Sequence, residues 1–327
     1  MNATVMIEEV IPEQHYGKRL DQSLALIFPQ YSRARIQNWL KNGDILINHK
    51  SNKSRTKVLG GESVRLNIPV NDVDNSISEA KPEAIALNII DEDEDILIIN
   101  KPIGLVVHPG AGNRTGTLLN ALLHYYPPIQ QVPRAGIVHR LDKDTSGLMV
   151  VAKTLEAQTD LVRQLENRDI EREYEAIIVG LPVTGARWID IIGRHPTQRT
   201  KMAILPETAT HGKEAITRFS IEERFKIHSK VKVNLETGRT HQIRVHMAHN
   251  NFPLVGDPAY GGRLRLPKQS SEELKQFLTA FHHQALHARK LGLMHPTHKE
   301  WVQWQVESPE DMQKLEQLLR QHKIEHE

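Results

Sequence analysis

The chain has 327 residues, 25% charged and 39% hydrophobic, an ordinary globular balance sized for two domains or one large one. It contains no cysteine, which excludes disulfides, thiolate zinc sites, iron–sulfur clusters and cysteine nucleophiles, and no apolar run long enough for a membrane span. Its 42 Lys and Arg against 40 Asp and Glu leave a net charge of +2, which taken alone argues against a nucleic-acid partner.

The charge is unevenly spread. Residues 1–16 carry a net −3, residues 17–69 a net +7, residues 70–95 a net −8, and the remainder +6. Blocks of opposite sign indicate units with different tasks. The first residues lack the basic and apolar regions of a signal peptide, so a cytoplasmic protein is expected.

In chain order, Leu20, Leu24 and Ile27 recur at helical spacing. Ser32 is placed to cap a second helix with Ile36, Trp39 and Leu40 on one face, ended by Asn42-Gly43. Ile45 and Ile47 alternate as a strand, and Gly60-Gly61 turns into a second strand through Val64, Leu66 and Ile68. Arg33, Arg35, Lys41, Lys50, Lys53, Arg55 and Lys57 lie on the second helix and the loop between the strands. They suit a phosphate backbone, although a charge run is more often a solvated face. The pattern RLD…SRARIQNWLKNGDILIN…GGESV resembles the S4 (α-L) RNA-binding domain. That resemblance implies RNA contacts from Arg33, Arg35, Lys41, Lys53 and Lys57, with the domain spanning residues 17–80. The acidic stretch 70–95 reads as a solvated linker, or as a surface that repels wrong anionic ligands.

A second domain is expected over residues 84–325. Ile96–Ile99 reads as a short buried strand, Asn100-Lys101-Pro102 as a turn, and the Gly-rich 106–112 as a loop that can cradle phosphate before the helix Leu118–His124. Neither GxxxxGK[ST] nor a strand-borne GxGxxG is present. Residues 133–153 enclose a polar knot, His139, Arg140, Asp142, Lys143 and Asp144, between apolar flanks. Charges between buried strands are costly unless paired, which marks either a site or a structural ion pair around Asp142. Leu155–Asn167 is amphipathic, and Ile170–Val179 reads as a strand ending at Gly180, on which Tyr174 alone would pass for a core residue. Val231, Val233 and Leu235 alternate into a donor-rich segment in which Arg239, Thr240, His241, Gln242 and Arg244 can receive phosphate and a base edge. His241 and His246 are spaced poorly for zinc, and Pro309–His322 is a packing helix.

HRLDKDTSGLMVVAK, together with NKPIGLVVHPG, EREYEAIIVG, ETGRTHQIRVHMAH and QALHA, resembles the RluA-type pseudouridine synthases over about residues 84–306. With the upstream S4-like segment, the likeness is to the subgroup that modifies large-subunit ribosomal RNA. It implies an α+β fold: a small S4 domain plus a catalytic domain on a mixed, largely antiparallel sheet with flanking helices. The implied reaction breaks the N1–C1′ bond of uridine, rotates the base and rejoins it through C5. It is redox-neutral, so no cofactor and no metal are expected. By resemblance, Asp142 is the catalytic carboxylate, either a nucleophile on C1′ or a base at C2′. Arg140 fills the space of the flipped base. Tyr174 stacks on the uracil and assists at the C5 proton. Arg244 pairs with Asp142, an opposite-charge contact of the kind that favours a carboxylate anion. Leu286 walls the uracil pocket, while Arg239, His241 and Gln242 bind substrate. The implied partner is 23S ribosomal RNA, free or within an assembling large subunit, for a monomer that contacts no membrane. Two other readings stay open: a non-catalytic RNA-binding or ribosome-assembly factor, and a carboxylate hydrolase using Asp144 as the second acid.

Overall fold

A computed structural model describes residues 4–28, 31, 33–69, 80–110, 113–198, 200–209 and 211–326. The chain divides into two units, Met1–Lys81 and Pro82–Glu327.

The first unit runs β1 (Thr4–Val10), α1 (Leu20–Ile27), α2 (Arg33–Asn42), β2 (Ile45–Ile47) and β3 (Ser63–Pro69). The strands form one antiparallel sheet in the order β1-β3-β2. The helical stripes close on this sheet: Leu20, Leu24, Ile36, Trp39 and Leu40 pack with Ile45, Val64 and Leu66 in a single core. Each such buried side chain contributes about 1.5–3 kcal/mol. Gly43, at φ +85, ends α2 as the Asn-Gly pair predicts. The expected Ser32 cap lies outside the described residues. The unit begins earlier than residue 17, because β1 pairs with β3 along its whole length.

The second unit holds β4 (Ile89–Glu92), β5 (Ile96–Lys101), α3 (Leu118–Tyr125), β6 (Ser146–Ala152), α4 (Leu155–Asn167), β7 (Glu171–Val179), β8 (Ala186–Arg194), β9 (Met202–Leu205), β10 (Lys213–Arg224), β11 (His228–Leu235), α5 (Gln242–His249), α6 (Glu272–Ala280), β12 (Leu286–Met294), β13 (Trp301–Gln305) and α7 (Glu310–Glu325). Its ten strands form one sheet in the order β4-β5-β6-β12-β7-β11-β10-β8-β9, with β13 also on β12. The expected mixed, largely antiparallel sheet is found: among the described strands only β6 and β12 pair in parallel. That pairing is short, Ser146 and Gly147 against His287 and Ala288. It requires glycine at 147: φ is +115, and a β-carbon there would lie 2.3 Å from the Ala288 carbonyl oxygen.

Three expectations are corrected. The acidic stretch is not a linker throughout, since Ile89–Glu92 is a strand. Three of its acids are clamps on the second unit: Asp91 accepts from Trp304 Nε1 at 2.7 Å, Glu92 from Lys153 Nζ at 2.8 Å, and Asp93 pairs with His295 Nε2 at 2.8 Å. Asn100-Lys101-Pro102 is not a free turn, because β5 continues through Lys101, whose side chain is fully buried. The N-terminus of α3 is not open to phosphate either. Thr117 and Asn120 cap it reciprocally, and the Glu83 carboxylate takes the Gly116 N–H. Residues 111 and 112 of that loop lie outside the described residues.

Two buried histidines, His228 and His246, and the half-buried His139 are expected to set an acid limit on this fold. Burial pushes His228 and His246 down to about 4, and His139 to about 3. Each folded value lies below the ordinary value near 6.5. The unfolded chain therefore binds protons that the folded chain refuses, and stability present above pH 6.5 is lost as pH falls toward 4. The slope is about 1.4 kcal/mol per pH unit for each histidine. Thermal midpoints measured across pH 7.5 to 4 should fall steeply below 6.5; a flat profile down to pH 4.5 would show that these rings do not limit the fold.

Candidate active site

The site is assembled from four pieces of chain. The first is the loop before β6, which carries Asp142. It is pinned from behind by a buried cation: Lys101 Nζ donates to the carbonyls of Pro102 (2.7 Å), Leu105 (3.0 Å) and Lys143 (2.9 Å). Three ammonium hydrogens thus meet three carbonyls. Burial lowers the lysine to about 8, against the opposing pull of Asp144 and Asp142. Further along the loop, Gln284 Nε2 donates to Thr145 Oγ1 at 3.0 Å, and His287 Nδ1 lies 2.9 Å from Ser146 Oγ. The QALHA residues therefore hold the loop that follows Asp142. His139 accepts the Val150 N–H on Nε2, anchoring the loop to β6.

The second piece is β7. Its EREYEA alternation sends Glu171, Glu173 and Glu175 to one face and Arg172, Tyr174 and Ala176 to the other. The glutamates are met there by Lys290, Arg289, Lys232 and Lys230. On the opposite face Tyr174 is buried, and Leu286 of β12 sits directly across from Ala176. Burial pushes the Tyr174 phenol up to about 12, with the Arg172 cation opposing and the Asp142 anion adding to it. The phenol is therefore protonated at neutral pH.

The third piece is the turn from β11 into α5. Arg172 Nη2 reaches the Leu235 and Glu236 carbonyls at 3.4 Å, and Gly238 leaves room for it: a β-carbon there would lie 2.8 Å from Arg172 Nη1. Gln242, expected at the substrate, is instead buried with its amide engaged. Its Oε1 accepts from Thr237 Oγ1 and the Arg239 N–H, and its Nε2 donates to the Ile216 carbonyl and Thr217 Oγ1. It closes the turn and has no free edge for a base. Arg239 is half-buried and spends Nε on the Glu214 carbonyl. Helix α5 is buried from Gln242 through Met247, which fixes Arg244 rigidly.

The fourth piece is the loop after α5. Arg244 donates Nη1 to Asp142 Oδ2 at 2.9 Å, and Nε and Nη2 to the two oxygens of Asp257 at 2.8 and 2.9 Å. Asp257 also accepts the N–H groups of Ala259 and Tyr260. Burial raises its carboxyl, but these bonds prevail and hold it below the usual carboxylate range. Both of its oxygens are occupied, so it is poorly suited to act as the second acid of a hydrolase. Arg244 stacks 5.1 Å from the centre of the Tyr260 ring. Asp142 thus has one oxygen tied to Arg244, while Oδ1 takes no hydrogen bond from the described residues; His241 Nε2 is 3.9 Å away.

The structure brings together Asp142, Tyr174, His241 and Arg244, places Leu286 on the Tyr174 face, and leaves Arg140 exposed at the rim. Asp257, Tyr260, Lys101 and Gln284 were not legible as site residues. Only Asp257 had a local signal, since Asp-Pro followed by Gly residues marks an Asx-type turn. In the first unit, Arg33 and Arg19 are committed to the fully buried Asp21. Lys41, Lys53 and Lys57 are exposed with no anionic partner among the described residues, and the Arg35 side chain lies outside them. One trio of metal-capable groups is found among the described residues, Asp93, Asp95 and His295, and internal bonds already engage it: His295 Nδ1 accepts the Thr297 and His298 N–H groups. No helix among the described residues is long and apolar enough to cross a membrane.

Residues 95–249 match the RNA pseudouridylate synthase family. The chain is 52% identical over 327 residues to ribosomal large subunit pseudouridine synthase D of Escherichia coli (strain K12), covering 100% of this chain and 98% of that one. It is 50% identical over 324 residues to the protein of that name from Pasteurella multocida, covering 97% and 96%. Among solved structures, the human RNA pseudouridylate synthase domain containing 1 aligns with a TM-score of 0.53 and 26% identity, over 69% of this chain and 85% of that one. A full-length likeness at this identity, carried by a fold that matches solved synthase domains, means that the chain belongs to the RluA-type family of RNA pseudouridylate synthases.

Proposed function

We propose that this chain isomerises uridine to pseudouridine in 23S ribosomal RNA in the cytoplasm, with Asp142 as the catalytic carboxylate. The observation that carries the reading is the chain Asp257–Arg244–Asp142. It presents one carboxylate oxygen, Oδ1, without a protein hydrogen bond from the described residues, on a carboxylate near enough to Tyr174 for its charge to raise that phenol. An oxygen so held is suited to either first step, attack on C1′ or removal of a proton at C2′. A protonated Tyr174 serves as a stacking platform for the uracil, with Leu286 alongside, and is a weak candidate for the base at C5. Arg140, exposed two residues before Asp142, occupies the stack vacated by the target base in this reading. The test is a pseudouridine map of large-subunit RNA from cells with and without this chain. Sites lost in its absence and restored by the purified chain support the reading; an unchanged map overturns it.

The first unit is read as the RNA-docking domain of the S4 type. Lys41, Lys50, Lys53, Arg55 and Lys57 supply its exposed charge, while Asp21 holds Arg19 and Arg33 in fixed positions. Replacing Lys50, Lys53, Arg55 and Lys57 by Gln in the full chain should weaken RNA binding. It should also reduce the salt slope of log K by about 0.7–0.9 for each phosphate no longer neutralised, with kcat on a short RNA little changed. An unaltered salt slope would show that these side chains do not meet phosphate.

A further inference from the structure

His241 Nε2 lies 3.9 Å from the unbonded oxygen of Asp142, and its surroundings favour hydrogen on that nitrogen. The Tyr260 hydroxyl oxygen accepts the Met202 N–H at 2.8 Å and lies 2.8 Å from His241 Nδ1. The hydroxyl has one hydrogen to give, and His241 Nδ1 is its acceptor among the described residues. With Nδ1 as the acceptor of that hydrogen, Nε2 is the nitrogen that carries the ring hydrogen, and His241 is taken in this tautomer. Burial favours the neutral ring, with the Asp142 anion opposing. The residue also holds φ +55 and ψ +21 at the N-cap of α5 while its side chain makes no capping bond. The ring is therefore not spent on capping the helix.

Nε2 lies 3.9 Å from Asp142 Oδ1, too far for a direct hydrogen bond. A single oxygen can sit at bonding distance from both atoms. That oxygen must accept from an N–H and donate to a carboxylate. Uracil carbonyls and phosphate oxygens only accept, and uracil N3–H only donates; a hydroxyl does both. We propose that His241 Nε2 and Asp142 Oδ1 together grip a ribose hydroxyl of the target nucleotide, the 2′-hydroxyl, which lies on the carbon next to C1′. This rests on the pseudouridine synthase reading, and it makes His241 a substrate-positioning residue that distinguishes RNA from DNA at the reacting nucleotide.

The test is a cycle on the full chain, wild type and His241→Ala, with a short RNA carrying uridine or 2′-deoxyuridine at the target position, read as kcat/KM and as Kd. On uridine, His241→Ala should lower kcat/KM by about 10- to 100-fold. On 2′-deoxyuridine the two enzymes should agree within about threefold, because the partner of the ring is gone. Penalties that multiply, His241→Ala costing as much on the deoxy substrate, would overturn the proposal. Where the deoxy substrate turns over too slowly, the Kd cycle decides by the same criterion. His241→Gln and His241→Asn guard against a purely structural role. Gln brings its amide nitrogen to the position of Nε2 and should restore activity, whereas Asn suits the left-handed backbone but stops short and should behave as Ala. The reverse order would show that the backbone alone needs this residue. A wild-type chain that forms no pseudouridine would defeat the activity reading, while the Kd cycle would still decide the hydroxyl grip.

Discussion

Asp142→Asn is expected to fold as the wild type does and to form no detectable pseudouridine. The amide oxygen of Asn can still accept Arg244 Nη1, and Arg244 keeps its two bonds to Asp257, so no buried charge is left alone. The thermal midpoint should move by no more than about 2–4 °C, the equivalent of roughly 1 kcal/mol in a chain of this size. The chemistry has no such reserve. An amide is neither a nucleophile toward C1′ nor a base toward C2′, and loss of the reacting group in comparable enzymes costs 10⁴-fold or more, about 5 kcal/mol. Carbodiimide-based mapping of RNA treated with the variant reads the result directly. Normal modification would remove Asp142 from the mechanism. Rescue of a growth defect by the same variant would favour the reading as a binding or assembly factor.

What could be read from the sequence follows from which interactions are local. The helix Leu155–Asn167 was legible to the residue because its apolar stripe repeats within a few residues. The helices of the first unit were legible for the same reason, whereas β1 was not. Its pairing partner β3 lies more than fifty residues on, and Glu8 and Glu9 disguise the alternation. In the site, the motif residues Asp142, Tyr174 and Arg244 were found by resemblance, since spacing alone left Asp142 open to a structural role. Gln242 was misjudged because an amide in a donor-rich turn looks the same whether it faces substrate or its own backbone. Lys101 was missed because a lysine beside a proline reads as exposed; only the tertiary fold brings the Lys143 carbonyl to it. The net charge misled for a related reason. Part of the acidic block that cancels the basic segments belongs to the second unit, where its exposed acids pair with Trp304, Lys153 and His295, so the sum over the chain says little about the basic face of the first unit.

Arg244→Met should damage stability and activity together, and a second substitution should separate them. The Asp257 side chain is fully buried and draws both of its side-chain contacts from Arg244. Removing the guanidinium leaves a buried carboxylate with only the Ala259 and Tyr260 N–H groups, at a cost of about 3–5 kcal/mol. The thermal midpoint should fall by roughly 6–20 °C. Asp142 loses the charged donor that the described residues give it at the same time, and removing a preorganised charged donor of this kind lowers kcat by about 10²–10³-fold. In Arg244→Met/Asp257→Asn the buried charge is gone, and the Asn oxygen still accepts the two backbone N–H groups. Stability should return to within about 1–2 kcal/mol of the wild type, because a neutral pair of similar volume need not be worse than an ion pair. Activity should stay low, since none of the described residues holds Asp142 Oδ2 in the double variant. Thermal melts and initial rates on one RNA, measured for all three proteins, read both effects. If the double variant recovers activity along with stability, Arg244 acts only through the fold. If the single variant melts normally, the buried pair is not what holds this loop.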